Sequence, residues 1–473
     1  MTYARTALSC AGCGVVIPPD EPTPFRCPAI REGDDIDHVI HRRLDERIET
    51  FPERDDPNPF VRYRELLHSY HVARRHGLSD DAYVAIVEEL DDRVASVDGA
   101  GFRVTPFDRH QTLSSAVGLE PPGGVWVKNE TRNVSGSHKA RHLMGLLIWF
   151  EVAERAGLGG LEDRRLAVAS CGNAALAAAV LASAAGRPLD VFVPTWADPA
   201  IVRRLTELGA DVSVCPRQEG EPGDPTHRRL GEAVAAGALP FTCQGTDNGL
   251  TIEGGGTLGY EIADGLHRAG DRLDRIVIQV GGGALASAVI QGIQEAASLG
   301  IVDTMPMVDT VQTAGAAPLA RAYDLIVPRL LDRLETETGG VPFSAGRAEL
   351  AAFIRKFSGE PPVESELTWA AQHRSTFMWP WESEPRSVAT GILDDETYDW
   401  MAVVRGMLAT GGLPHVVSEE LLVEANDTAR ENTTIDVDHS GSAGLAGFLA
   451  AQRDGVAASS ERVAVLFTGA RRT

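Results

Sequence analysis

The chain has 473 residues, 43% hydrophobic and 23% charged, with 44 basic against 67 acidic side chains and a net charge of −23. That length supports two or three domains with cores of their own, and that charge argues against a nucleic-acid partner, because a phosphate backbone calls for a basic surface. No apolar run reaches the ~18 residues of a membrane span, Met1–Arg5 leads into no signal-peptide core, and Cys10, Cys13, Cys27, Cys171, Cys215 and Cys243 are too sparse for a disulfide scaffold, so the expected location is cytoplasmic with no membrane partner.

In chain order, the first segment carries Cys10-Ala11-Gly12-Cys13-Gly14 and then Cys27-Pro28. A Cys-x-x-Cys-Gly turn resembles half of a zinc knuckle, but structural zinc takes four ligands and the fourth cysteine is missing. His38 or His41 would have to serve, and nothing in their spacing recommends either. The expectation is a degenerate knuckle, with no metal assigned. Residues 31–99 are charged and helical in pattern, broken at Arg54-Asp55-Asp56-Pro57-Asn58-Pro59. Residues 1–100 therefore read as a helical N-terminal extension.

From about residue 101 the texture changes. Asn133-Val134-Ser135-Gly136-Ser137-His138 is a turn of small residues that delivers Lys139 to the start of a helix. Leu143, Leu146, Leu147, Phe150 and Val152 give that helix a buried side. Leu166–Ala169 reads as a short buried strand, Ala174–Ala185 as an alanine-rich helix, Val191–Val193 as a strand, Ile201–Leu208 as a helix and Val212–Val214 as a strand. Ile276–Val280 is a further strand, then a glycine turn and a helix from Leu285, and Val463–Phe467 is the last strand. Strand and helix alternating in this way predict an α/β fold with mainly parallel sheets. Residues 325–385, with Trp369, Trp379 and Trp381, read as an insertion, a lid or an interface.

Four strand-to-helix turns carry chemistry. A lysine at a helix start can form a Schiff base with pyridoxal phosphate (PLP), although most such lysines are solvated charges. Ser170-Cys171-Gly172-Asn173 follows a strand and opens a helix, where backbone N–H groups suit a carboxylate, or where it simply caps the helix. Gly281-Gly282-Gly283-Ala284 lets the backbone approach a phosphate, or makes a tight turn. Thr468-Gly469 ends the last strand with a hydroxyl. In open parallel sheets ligands collect at the carboxyl ends of strands, so these turns can serve one crevice.

The order lysine, asparagine turn, phosphate turn, terminal hydroxyl resembles the fold-type II PLP enzymes, the tryptophan synthase β-like superfamily, and within it the threonine synthases and serine/threonine dehydratases. Thr105-Pro106-Phe107 is similar to the family's Thr-Pro-Leu, and Val127-Lys128-Asn129-Glu130 to its strand before the lysine loop. Ser135 to Lys139 is similar to Thr/Ser-Gly-Ser-Phe-Lys, Ser170 to Asn173 to Ser-Ser-Gly-Asn, and Gly281 to Leu285 to Gly-Gly-Gly-Gly-Leu. Glu253-Gly254, Thr257 and Tyr260-Glu261-Ile262 resemble a threonine synthase segment. The chain departs at Ala140, where threonine synthases carry aspartate, at Ala174, where a threonine or histidine is common, and at Thr468, where dehydratases more often have serine or cysteine.

The resemblance implies a smaller PLP domain over residues 101–240 with the lysine and asparagine loops, and a larger one over 241–473 with the glycine loop, each a three-layer α/β unit. It implies that Lys139 is the Schiff-base lysine and the base for the α-proton. It places Asn173 by the cofactor's phenolic oxygen, Gly281, Gly282, Gly283 and Ala284 around its phosphate, and Thr468 by its pyridine nitrogen. Ser170 and Cys171 would meet the substrate carboxylate. The implied activity is elimination or replacement on a small hydroxy- or phospho-activated α-amino acid. Alternatives are a serine/threonine or diaminopropionate ammonia-lyase, or a PLP-binding interaction protein without turnover; the implied assembly is a homodimer. A nucleotide-binding oxidoreductase is disfavoured, because the glycine turn lies far along the chain and lacks G-x-G-x-x-G.

Overall fold

The computed structural model describes residues 5–217, 223–342, 344–381 and 385–472. Met1–Ala4 and four positions of the 325–385 segment, 343 and 382–384, lie outside them. The strands in chain order are β1 (Thr6–Cys10), β2 (Ile40–Leu44), β3 (Phe107–His110), β4 (Gly124–Asn129), β5 (Leu166–Ala169), β6 (Leu189–Pro194), β7 (Asp211–Cys215), β8 (Leu239–Pro240), β9 (Arg275–Gln279), β10 (Met307–Thr313), β11 (Pro414–Val417) and β12 (Arg462–Phe467). The chain divides into two compact units, and neither is continuous in sequence.

The first unit comprises residues up to Ile30, His38–Val104 and Arg132–Glu261. Its sheet runs β7-β6-β5-β8, all parallel. A separate antiparallel hairpin pairs β1 with β2, setting Thr6 opposite Leu44 and Cys10 opposite Ile40. The Lys139–Arg155 helix is buried nearly all round, Arg141 and His142 included, as expected of a helix inside a core rather than on its surface. It shares one core with the Asp80–Asp98 and Asn173–Ala185 helices and with Leu8, Phe25 and Ile40 of the leading residues. A helix at Thr251–Ala269 crosses it where Gly145 meets Gly254; a Cβ at Gly254 would collide with the Arg141 carbonyl oxygen. Only glycine allows that approach.

The second unit comprises Arg31–Asp37, Thr105–Thr131 and Ile262 onward. Its six-stranded sheet runs β11-β10-β9-β12-β4-β3, parallel except for the β3–β4 pair. β9 is buried at every residue, which matches its continuous apolar run and a sheet covered on both faces. The 325–385 segment is largely helical, with helices at Pro318–Thr338, Arg347–Arg355 and Pro361–Gln372. There the Arg329 guanidinium lies 3.9 Å from the centroid of Trp369, which stacks on His373.

The α/β class with mainly parallel sheets is as expected. The division of the chain differs from three consecutive segments. β4, just before the lysine turn, pairs with β12 and so belongs to the larger sheet. Residues 1–100 carry the expected helices, at Pro59–Arg62, His68–Arg75 and Asp80–Asp98, and add a hairpin of β1 and β2 whose apolar side chains join the core around the Lys139 helix.

Candidate active site

Three lysines occur in the whole chain. Lys128 lies on β4, fully buried, and its Nζ donates to the Thr105 carbonyl at 2.7 Å. Lys356 is exposed at the end of the Arg347–Arg355 helix. Lys139 alone begins a helix from a structured turn, and it is half-buried. The turn is held in an unusual shape. Ser135 has φ +55°, the one non-glycine positive φ among the described residues, and Gly136 follows at +68°. The Ser135 amide donates to Asp98 Oδ2 at 2.9 Å, and Asn133 Nδ2 donates to the Ser137 carbonyl at 3.1 Å. A serine held there stores strain that the surrounding bonds must compensate, a frequent property of functional turns.

The helix behind Lys139 is locked from the Thr251–Ala269 helix. Arg141 donates to Glu261 at 2.6 Å and to Thr257 at 3.0 Å, with both members of the ion pair inaccessible to solvent. Tyr260 accepts from Arg42 at 3.0 Å, and Glu253 lies 3.3 Å from the Arg42 Nε. The threonine synthase-like segment therefore acts as a brace. His142 donates from Nδ1 to the Thr251 carbonyl at 2.8 Å, and its Nε2 is buried with no partner among the described residues. Burial, with the nearby Lys139 charge, pushes its pKa down to about 3, so the ring stays neutral. Sequence reasoning passed over His142; its place three residues after the lysine, on the same helix, was the available signal.

Ser170, Cys171, Gly172 and Asn173 follow β5 and are all half-buried, with Asn173 as first residue of its helix. The Gly172 amide donates to Ser170 Oγ at 3.3 Å, which closes the turn. The helix start has no side-chain cap, so its first amides are available in type to an anion.

In the second unit, Gly281, Gly282 and Gly283 follow β9, and Ala284 opens a helix. Gly283 has φ +97°. The Gly282 amide donates to Asp394 Oδ2 at 2.7 Å, the Thr397 hydroxyl donates to the Gly281 carbonyl at 3.0 Å, and a Cβ at Gly282 would come within 2.8 Å of the Tyr398 ring. The loop thus directs an amide at an anionic oxygen, as a phosphate cradle requires, and Asp394 is the anion it holds. The groups fit a phosphate in kind, and in this structure Asp394 occupies the Gly282 amide. Thr468 is buried at the end of β12. Gln279 Nε2 donates to its Oγ1 at 2.7 Å and faces the Gly441 and Leu466 carbonyls at 3.0 and 3.1 Å. Those two carbonyls fix the amide orientation, so Thr468 accepts here, and its own proton remains a donor in type. Thr105, of the Thr-Pro-Phe motif, donates to Glu130. Asp394 and Gln279 were missed in the sequence, because each acts through a contact distant along the chain.

The leading cysteines also come together. Cys10, Cys13, Cys27 and His38 place one ligand atom each within 4.8 Å of one another. Of the two histidines considered for the fourth position, His38 is the one brought there: closing the β1–β2 hairpin sets its Nδ1 3.4 Å from Cys10 Sγ.

Comparison with known proteins agrees with this picture. A threonine synthase of Methanosarcina acetivorans is 27% identical over 60% of this chain and 67% of its own length. An L-serine dehydratase of Saccharomyces cerevisiae is 30% identical over 48% of this chain and 66% of its own. The fold matches the diaminopropionate ammonia lyase of Escherichia coli with a TM-score of 0.55 at 15% identity, over 82% of this chain and 88% of that one. Residues 100–359 match the family model described as pyridoxal-phosphate dependent enzyme. The chain belongs to that family, its cofactor is pyridoxal 5'-phosphate, and among these enzymes it is related to the threonine synthases and serine dehydratases.

Proposed function

We propose that the chain is a lyase or synthase that removes the β- or γ-substituent of a small hydroxy- or phospho-activated α-amino acid, with Lys139 as its catalytic residue. The observation that carries the reading is the setting of the three lysines, since only Lys139 combines a helix start, partial accessibility and a braced helix behind it.

When bound, pyridoxal phosphate supplies an electron sink that makes the α-proton of an attached amino acid acidic. Lys139 Nζ would hold the cofactor and would serve as the base for the α-proton. His142 is neutral and places no cation of its own beside that amine. Ser170 Oγ, Cys171 and the helix start at Asn173 would meet the substrate carboxylate, and the Asn173 side chain would orient the ring oxygen. Gly281, Gly282, Gly283 and Ala284 would hold the phosphate, and the Gly282 amide, which here donates to Asp394, would be one of its donors. Thr468, oriented by neutral Gln279, offers a hydroxyl rather than a carboxylate to the ring nitrogen. That moderates electron withdrawal and favours loss of the substituent over racemisation or transamination.

The test is a screen of the PLP-loaded protein with serine, threonine, their phosphorylated and acetylated forms, phosphohomoserine and diaminopropionate, reading keto acid, ammonia and phosphate. Release of any of the three at a rate abolished by Lys139→Ala supports the reading. A fully loaded protein that only racemises these substrates, or leaves all of them untouched, refutes it.

A further inference from the structure

We propose that Cys10, Cys13, Cys27 and His38 bind one structural zinc ion, through three thiolates and His38 Nδ1, and that the ion staples the leading hairpin to the helix that begins at Lys139.

The geometry is that of a tetrahedral site. With Zn–S about 2.3 Å and Zn–N about 2.0–2.1 Å, the sulfur–sulfur edges of the tetrahedron are about 3.8 Å and the sulfur–nitrogen edges about 3.5 Å. Here Cys13 Sγ and Cys27 Sγ stand 3.5 Å apart, Cys10 Sγ and His38 Nδ1 stand 3.4 Å apart, and all four ligand atoms lie within 4.8 Å. All three cysteines are free thiols, and Cys10, Cys27 and His38 are buried. Four thiol and imidazole groups converging in a covered place have little reason to do so without an ion.

The backbone is shaped for the purpose. Gly14 has φ +75°, and its amide donates to the Cys10 carbonyl at 2.9 Å, closing the Cys-x-x-Cys turn. The Ala29 amide donates to Cys27 Sγ at 3.4 Å. N–H groups aimed at sulfur stabilise thiolate and orient it for a metal. Three soft sulfurs and one imidazole with no open position suit zinc in a closed structural site. Binding releases three thiol protons to solvent and changes no oxidation state.

The ligands come from separate stretches of chain, which gives the ion its task. Cys10 ends β1, and His38 precedes β2. Cys27 lies in a loop that rests on the Lys139 helix: Pro22 accepts from Trp149 Nε1 at 3.1 Å, and Phe25 packs edge-on against Phe150 at 6.0 Å. The Phe25 carbonyl also accepts from the Gly249 amide at 2.9 Å. An ion joining turn, loop and hairpin fixes this cover in place.

The test is metal analysis of the full-length protein, purified with reduced thiols and no chelator, followed by cobalt(II) replacement. Wild type is expected to hold one zinc per chain through dialysis. Its cobalt form should show the ligand-field bands of a tetrahedral thiolate site, at wavelengths clear of the PLP absorption. Cys27→Ser and His38→Ala should fall to background metal, whereas His38→Cys should keep a full equivalent, because four thiolates also close the site. Mercurial titration of wild type should release the zinc and lower its melting temperature, with no such change in His38→Ala. Should a variant fail to fold, the His38→Cys stoichiometry and the mercurial release still decide. Wild type that takes up neither zinc nor cobalt overturns the proposal, as does a His38→Ala protein that retains both the metal and the cobalt spectrum.

Discussion

Arg141 and Glu261 offer a direct test of whether the brace behind Lys139 matters. Both side chains are fully buried, and their closest atoms are 2.6 Å apart. At an effective dielectric constant of ~20 and a charge separation of ~4 Å, their attraction is about 4 kcal/mol. Glu261→Leu removes that attraction and leaves a guanidinium inside the core, and breaking a buried pair from one side typically costs 3–5 kcal/mol, about that same figure. Replacing both members is a different matter, because well-packed apolar side chains can substitute for a buried ion pair at little cost. Arg141→Met and Glu261→Leu should therefore each destabilise the protein by about 3–5 kcal/mol, and the double variant should recover most of the loss. Urea unfolding of the PLP-free protein measures the three values. Activity adds a second axis: the double variant should regain stability without regaining full kcat, because the bond from Arg141 to Thr257, two residues from Lys139, is lost. Single variants costing under about 1 kcal/mol would refute the brace, as would a double variant as unstable as either single one.

Lys139→Ala should abolish turnover, and borohydride reduction of the PLP-loaded wild type should label Lys139 alone; label on Lys128 or Lys356 would move the site. Asp394→Asn should tighten PLP binding, since the phosphate no longer displaces a charge-assisted bond of about 1.5–3 kcal/mol, which corresponds to roughly 10- to 150-fold in Kd by fluorescence titration. Weaker binding by that variant would show that Asp394 supports the loop rather than competing for it. Burial pushes the pKa of His68 and His142 down to about 3 and that of His71 to about 4, each below the usual 6.5. The unfolded chain therefore binds more protons as pH falls. This contribution is complete above pH 6.5 and is lost toward pH 3, with a slope near pH 5 of about 4 kcal/mol per pH unit for three protons. Urea midpoints that stay flat between pH 6.5 and 5 would contradict it, and His68→Gln should lower the slope by about one proton.

The sequence made the buried parallel strands plain, because Leu166–Ala169 and Val463–Phe467 are apolar runs covered on both faces and carry no competing period. The lysine, asparagine and glycine turns stood out because their small residues interrupt such runs. The hairpin did not: β1 and β2 are five residues each, and Ile40-His41-Arg42-Arg43-Leu44 sets two apolar residues against two arginines and a histidine. His38 was hidden for the same reason, since only pairing of β1 with β2 brings it to Cys10. Asp394 lies 112 residues from the amide it meets, and Gln279 lies 189 residues from Thr468. No local pattern encodes contacts of that span. The division into units was obscured because β4 joins the sheet of residues that come far later in the chain.

The scarcity of lysine has a chemical consequence of its own. Nearly all of the 44 basic residues are arginine, and a guanidinium stays protonated at any physiological pH, so it cannot condense with an aldehyde. Arginine thus supplies the protein's ion pairs while leaving its carbonyl cofactor almost no rival amine. Lys128 is sealed inside a sheet, and Lys356 is the one lysine lying open to solvent. A surplus of free PLP, which decorates many proteins at random, would find two accessible side-chain amines here, and an amine-directed probe would report on Lys139 against a background of a single surface residue.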